Sequence, residues 1–106
     1  MAKRIIDTEN KILTGDNHPE LKIGDKCYVV DDRQSTWKKM GDVLTGNVES
    51  EDKDFDFVAL ALGKKAAKEI MSDISVVGQE NLMYYIIAAI REISFEEAQE
   101  FINGKN

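Results

Sequence analysis

The sequence has little of what most catalytic and metal-binding sites require: one cysteine, one histidine and one proline among 106 residues. A single cysteine, Cys27, excludes an intrachain disulfide and a cysteine cluster around a metal ion. We expect it to fill a position in a strand. The single histidine, His18, sits in a turn-rich stretch and would have to reach a distant nucleophile to form a catalytic arrangement. The protein is therefore predicted not to be an enzyme, with no catalytic residue, metal site or cofactor.

Positive charge is also scarce. Fourteen Lys and Arg stand against twenty Asp and Glu, which gives a net charge of −6 and an isoelectric point near 4.8. A nucleic acid backbone or an anionic membrane would be repelled by that balance, so neither is expected as a partner.

Long hydrophobic runs are missing as well. The longest uncharged run, residues 81–90, is about half of the roughly 20 residues that span a bilayer. The apolar stretch after the basic residues Lys3 and Arg4 is too short for a secretory signal. We therefore expect a cytoplasmic protein without a membrane-spanning segment.

What is present fits a small globular domain, with 42% hydrophobic and 32% charged residues. A chain of this length buries roughly 60–70% of the surface that its unfolded form exposes. We expect residues 1–20 to form a flexible arm or edge segment and residues 21–106 to form one domain. The predicted fold class is α+β, mainly α, in which an N-terminal β-hairpin is followed by four or five helices.

Turn residues and apolar spacing predict the elements of the first half. Gly24-Asp25 lies between two short apolar runs and predicts a β-hairpin over residues 21–30. Asp31-Asp32 is expected to cap a helix that ends before Gly46. Five carboxylates in residues 47–56 favour an extended, solvated loop.

The second half reads as a succession of helices. Residues 55–62 are expected to form a helix that ends at Gly63, and residues 64–72 a short one. A long helix is predicted from about Val77 to Glu92. Ser94 and Glu97 have the spacing of a capping box, which opens a last helix ending at Gly104.

The long helix carries the strongest apolar pattern of the chain. Its main stripe follows the 3.6-residue period, and its flank adds Met83 and Ile87. The residues predicted to form its core face are Leu82, Tyr85, Ile86, Ala89, Ile90 and Ile93. Because so little of the helix is polar, it must be covered by its own chain, by a second copy or by a partner.

Three further patterns resemble ligand sites only in part. Gly63-Lys64 lacks the rest of a phosphate loop. Asp52, Asp54 and Asp56 lack the turn glycine of a calcium loop, because Phe57 stands in its place. Glu96 and Glu100 lack a second ligand-bearing helix.

Lys64, Lys65 and Lys68 form a small basic patch. Solvated lysines on a short helix explain this patch, and a docking site for an acidic partner is the alternative.

Two segments, residues 57–70 and 82–102, resemble the small tail assembly chaperones of long-tailed phages and prophages of Gram-positive bacteria. The similarity lies in an apolar helix closing on Leu-Gly-Lys, a Lys/Ala-rich short helix, and a long Ile-Ala-Ala-Ile helix followed by Ser-Phe-Glu-Glu-Ala. The resemblance implies a non-enzymatic protein of the host cytoplasm that is absent from the mature virion. It also implies two partners, the tape-measure protein and the tail-tube protein.

Both the residue patterns and this resemblance favour a protein-binding role, and self-association is kept as an additional prediction. The residues predicted to contact a partner are Phe57, Leu60, Met83, Tyr84, Ile87 and Phe101. The alternative function is a small acidic inhibitor or adaptor that occupies a basic site on a host protein. Such an inhibitor, for example one that mimics a nucleic acid, would use the carboxylates of residues 49–56 and 96–100. Its binding would weaken as the salt concentration rises.

Overall fold

The computed structural model describes residues 18–104 and contains, within them, a two-stranded antiparallel hairpin followed by five helices. The predicted fold class is confirmed. The strands are β1 (Glu20–Ile23) and β2 (Lys26–Val29). The helices are α1 (Gln34–Thr45), α2 (Lys53–Leu62), α3 (Lys64–Met71), α4 (Val76–Arg91) and α5 (Phe95–Asn103). The predicted arm, residues 1–20, lies outside the described residues except for its last three.

The hairpin turn falls at Gly24-Asp25, as predicted. Gly24 has a φ of 63°, and Asp25 is not among the residues with positive φ. Glycine at the first central position with positive φ is the pattern of a type II′ turn, which matches the twist of the flanking strands. The register pairs Ile23 with Lys26 and Leu21 with Tyr28, so Leu21 and Ile23 share the face that packs on the core.

Helix α1 ends as predicted but begins differently. Gly46 closes it in the left-handed conformation, with a φ of 83°. The predicted cap by Asp31-Asp32 is wrong, because Arg33 occupies the N-cap position and no side chain caps the helix. Asp31 instead accepts hydrogen bonds from Arg33 and from the Thr36 hydroxyl.

The predicted extended loop over residues 47–56 is too long, because α2 already begins at Lys53. The side chain of Asp52 caps the helix by accepting a hydrogen bond from the Phe55 N–H. Asp54 and Asp56 lie in the first turn, where carboxylates are stabilised by the positive end of the helix dipole. The local helix signal therefore outweighs the repulsion between neighbouring acids.

The ends of α2 and α5 agree with those predicted from the sequence. Gly63 ends α2 with a φ of 96° and separates it from α3. Ser94 and Glu97 form the complete capping box of α5, and Gly104 ends that helix.

The core lies between α1, α2, α4 and the inner face of the hairpin. Helix α2 packs against α1, α3 and α4, while α4 also contacts α5 and β1. The largest fully buried side chains are Phe57, Met40, Ile86, Ile87, Val30 and Val58. Every buried side-chain polar atom of the described residues has a hydrogen-bond partner.

Candidate protein-interaction surface

Helices α1, α4 and α5 bring an arginine and two aromatic rings together at the surface. The Trp37 and Phe101 ring centroids are 5.8 Å apart. The Arg91 guanidinium carbon lies 5.7 Å from the Trp37 ring centroid and 5.4 Å from that of Phe101. No ion pair of Arg91 is found within residues 18–104. Among these residues its charge faces the two rings and solvent.

A second aromatic group lies on the same two helices, α4 and α5. The Phe95 ring meets Tyr84 edge-on at 5.6 Å and Tyr85 at 4.6 Å. Tyr84 and Arg91 are seven residues apart on α4 and so lie on one face of that helix. We call the six residues of both groups the aromatic surface: Trp37, Tyr84, Tyr85, Arg91, Phe95 and Phe101.

This surface has the composition of protein-binding hot spots, which are enriched in Trp, Tyr and Arg. Tyr85 is 53% exposed and Phe101 50% exposed, so large parts of both rings are available to a partner. Aromatic side chains provide contact area at a small cost in conformational entropy. The arrangement is suited to binding an apolar or aromatic segment of another protein.

The structure separates the six predicted partner-binding residues into two groups. Phe101 is exposed, Tyr84 is half-buried within the aromatic surface, and half-buried Leu60 lines two clefts. Phe57, Met83 and Ile87 are buried at 1%, 8% and 0% exposure. The prediction that these three contact a partner is corrected, because α2 and α4 bury them in the domain's own core.

The predicted core face of α4 is rotated relative to the observed one. Leu82 and Ile86 are buried as expected, and Ala89, Ile90 and Ile93 are half-buried. The prediction that Tyr85 belongs to the core face is wrong, because more than half of this residue is exposed. The buried face is centred between the predicted stripe and its flank, since Met83 and Ile87 are buried in place of Tyr85. Trp37, Arg91 and Phe95 were not predicted as partner-binding residues, and only their hot-spot residue types could have drawn attention to them.

Three carboxylates of the acidic segment, residues 47–56, make hydrogen bonds within the fold. Asp52 caps α2, Asp54 accepts a hydrogen bond from Gln79, and Asp56 accepts one from the Ser50 hydroxyl. Glu49 and Glu51 are exposed. Three of the five carboxylates in residues 49–56, which the acidic inhibitor would use, thus stabilise the fold.

An open cleft of about 800 Å³ lies where the end of β2, the start of α1 and the end of α2 meet. Arg33 donates to both oxygens of Asp31, from Nε at 2.9 Å and from Nη2 at 2.8 Å. This bidentate pair lowers the pKa of the Asp31 carboxyl well below its usual range, aided by the Thr36 hydroxyl. His18 Nδ1 lies 2.7 Å from Oδ1 of Asp32, so both acids are already engaged.

The cleft does not assemble a reactive group. Asp31 is paired with Arg33 and Asp32 is hydrogen-bonded to His18, and among the described residues that line the cleft there is no serine or cysteine. Within residues 18–104 no cluster of three His, Cys, Asp or Glu side chains is placed to hold a metal ion. In the same part of the chain no helix combines the length and apolar character needed to cross a bilayer.

Comparison with protein-family models, with curated proteins and with solved structures finds no match to this chain.

Proposed function

We propose that this protein is a non-enzymatic assembly chaperone that binds other proteins through its aromatic surface. By the resemblance of residues 57–70 and 82–102, its partners would be the tape-measure protein and the tail-tube protein of a phage or prophage. It would act in the cytoplasm of the bacterial host and be absent from the finished particle.

The observation that supports this proposal is that residue types typical of binding hot spots are exposed, although the domain has a buried hydrophobic core of its own. Trp37, Arg91 and Phe101 come from three different helices. Arg91 and Phe101 are exposed, and Trp37 is half-buried against the core. An exposed aromatic cluster costs solubility, so its presence favours a binding role. The net charge of −6 offsets that cost by keeping free copies apart.

The test is binding of the variants Tyr85→Ala, Arg91→Ala and Phe101→Ala to the tape-measure protein encoded in the same genome. Each should weaken binding about tenfold or more, as truncation of a hot-spot residue does. Val76→Ala is the matched control, because Val76 is a 77% exposed apolar residue on α4 outside the aromatic surface. Unchanged binding by all three variants, with each shown to be folded by circular dichroism, would count against this surface.

A failure to bind any co-expressed tail protein would refute the assignment as a tail assembly chaperone. The aromatic surface would then still be tested by the same variants against a protein captured from the host. The two parts of the proposal can therefore fail separately.

The acidic inhibitor or adaptor is the second candidate, favoured by exposed Glu49 and Glu51 beside α2. Glu49→Gln with Glu51→Gln is a better probe than changing Asp52 or Asp54, because those two take part in the fold. The double variant and high salt should leave chaperone binding unchanged. A large loss of binding under either condition would favour the inhibitor.

A further inference from the structure

Arg91 presents hydrogen-bond donors that the described part of the chain does not use. A guanidinium group carries five N–H donors and keeps its charge at any ordinary pH. Arg91 is exposed in the last turn of α4, and within residues 18–104 it makes neither an ion pair nor a side-chain hydrogen bond. Any cation suits the end of a helix, so the distinguishing feature of Arg91 is its contact with two aromatic rings.

These rings hold the guanidinium without satisfying its donors. The guanidinium carbon and the ring centroids of Trp37 and Phe101 form a nearly equilateral triangle, with sides of 5.7, 5.4 and 5.8 Å. The π faces of the rings attract the cation, but neither ring offers a lone pair to an N–H group. The contacts therefore restrict the position of the guanidinium and leave its N–H groups to solvent or to a ligand.

We propose that the aromatic surface recognises a carboxylate of its protein partner, which pairs with Arg91 through two parallel N–H···O hydrogen bonds. An apolar side chain next to that carboxylate packs on Phe101 and Trp37. The segment of the partner is thus one that carries an Asp or Glu beside an apolar residue. This inference rests on the proposed function, because it specifies the chemistry of the partner bound at the same surface.

The acids of the described chain do not take this role. Helix α5 carries three glutamates, but no Asp or Glu of residues 18–104 lies within ion-pair distance of Arg91. The other arginine of these residues, Arg33, forms a bidentate pair with Asp31. A planar fork of donors matches the two oxygens of a carboxylate, so a partner's carboxylate would complete at Arg91 the pairing that Arg33 already has.

The charge of the whole molecule limits the ligand further. A net charge of −6 repels a strongly anionic partner such as a nucleic acid, whereas one carboxylate among apolar residues matches one guanidinium beside two rings. Phe101 is 50% exposed, and a side chain packed on it would cover the ion pair as well. Salt screens a covered pair less than an exposed one, which agrees with chaperone binding that persists at high salt.

Small probes test this recognition without the partner. Phenylpropionate joins one ring to one carboxylate, and phenylpropionamide has a similar shape without the charge. In an NMR titration of the full chain, phenylpropionate should shift the signals of the Arg91 side chain and the Phe101 ring, and should bind about fivefold more tightly than the amide. Equal affinities of the two probes would overturn the proposal. Shifts caused by phenyl phosphate alone would make the ligand a phosphoryl group and would overturn it as well.

Two variants of Arg91 show whether this residue makes the distinction. Arg91→Gln should abolish the preference for the carboxylate, and Arg91→Lys should reduce it, because lysine keeps the charge but lacks the planar fork. Lys68→Gln is the matched control, since Lys68 is an exposed cation in the last turn of α3, and it should keep the preference. A preference that survives in Arg91→Gln, or is undiminished in Arg91→Lys, would contradict the bidentate pair.

The tape-measure protein provides the second probe. Each Asp and Glu of its binding segment is changed in turn to Asn or Gln. One of these changes should weaken binding to the wild type about tenfold and have no further effect on binding to Arg91→Gln. Binding without any such coupled carboxylate would overturn this inference alone. A tape-measure protein that does not bind at all would refute the chaperone assignment, while a carboxylate preference in the small probes would still support this inference.

Discussion

At the scale of single residues, Asp31 connects the end of the hairpin to α1. It receives hydrogen bonds from the Arg33 side chain and backbone and from the Thr36 hydroxyl, and Thr36 is only 6% exposed. It thereby joins the end of the hairpin to the first turn of α1, which has no side-chain cap. Replacing it would leave the buried Thr36 hydroxyl with a weaker acceptor.

Asp31→Asn should lower the free energy of unfolding at pH 7 by about 1 kcal/mol. The hydrogen bond from Arg33 lowers the pKa of Asp31, so the folded state binds fewer protons than the unfolded chain at acidic pH. The stabilisation is fully present above the unfolded pKa of about 3.9 and is lost as the pH falls below it. Urea unfolding at pH 7, 5 and 3 should show a smaller acid dependence for Asp31→Asn than for the wild type. Exposed Asp73→Asn is the control, and an equal acid dependence in all three proteins would contradict this account.

At the scale of elements, α5 depends on its capping box. Ser94 accepts from the Glu97 N–H at 3.0 Å, and the Glu97 carboxylate accepts from the Ser94 N–H at 2.9 Å. Ser94→Ala should cost about 1 kcal/mol of stability and fray the first turn, which holds Phe95 against Tyr84 and Tyr85. Ser35→Ala, an exposed change inside α1, should be neutral or slightly stabilising. The two midpoints of urea unfolding provide the comparison, and equal values would show that the box contributes nothing.

Neighbouring positions on α4 have opposite surroundings. Ile86 is fully buried, so Ile86→Asp should unfold the domain by placing an unpaired charge in the core, at a cost of several kcal/mol. Tyr85→Asp should leave the domain folded, because Tyr85 is 53% exposed and its ring contact is with Phe95 at the surface. Circular dichroism and thermal unfolding distinguish the two. An unfolded Tyr85→Asp protein would show that the aromatic surface is part of the core.

At the scale of the whole molecule, the aromatic surface lies on α1, α4 and α5, and the hairpin contributes no residue to it. Val29→Thr, an exposed change in β2, should therefore leave binding to the tape-measure protein unchanged, while Phe101→Ala should weaken it. The affinities of both variants, each shown to be folded by circular dichroism, provide the comparison. An equal loss of binding in the two variants would mean that the hairpin takes part in the interaction or that either change disturbs the fold.

The sequence determined the elements whose signals are local. A glycine at a turn or helix end, as at Gly24, Gly46 and Gly63, allows a positive φ that other residues rarely adopt, so hairpin and helix boundaries could be predicted. The Ser94 and Glu97 box is equally local. The prediction was wrong where two local signals competed. In residues 47–56 charge repulsion predicted a loop, but helix capping by Asp52 starts α2 at Lys53.

Only the tertiary structure decided which apolar residues are buried and which are available. Hydrophobic periodicity indicates that α4 is apolar over most of its surface, but the neighbouring helices determine that Met83 and Ile87 are buried while Tyr85 is exposed. The meeting of Trp37, Arg91 and Phe101 depends on the packing of three helices, which no spacing within one helix records.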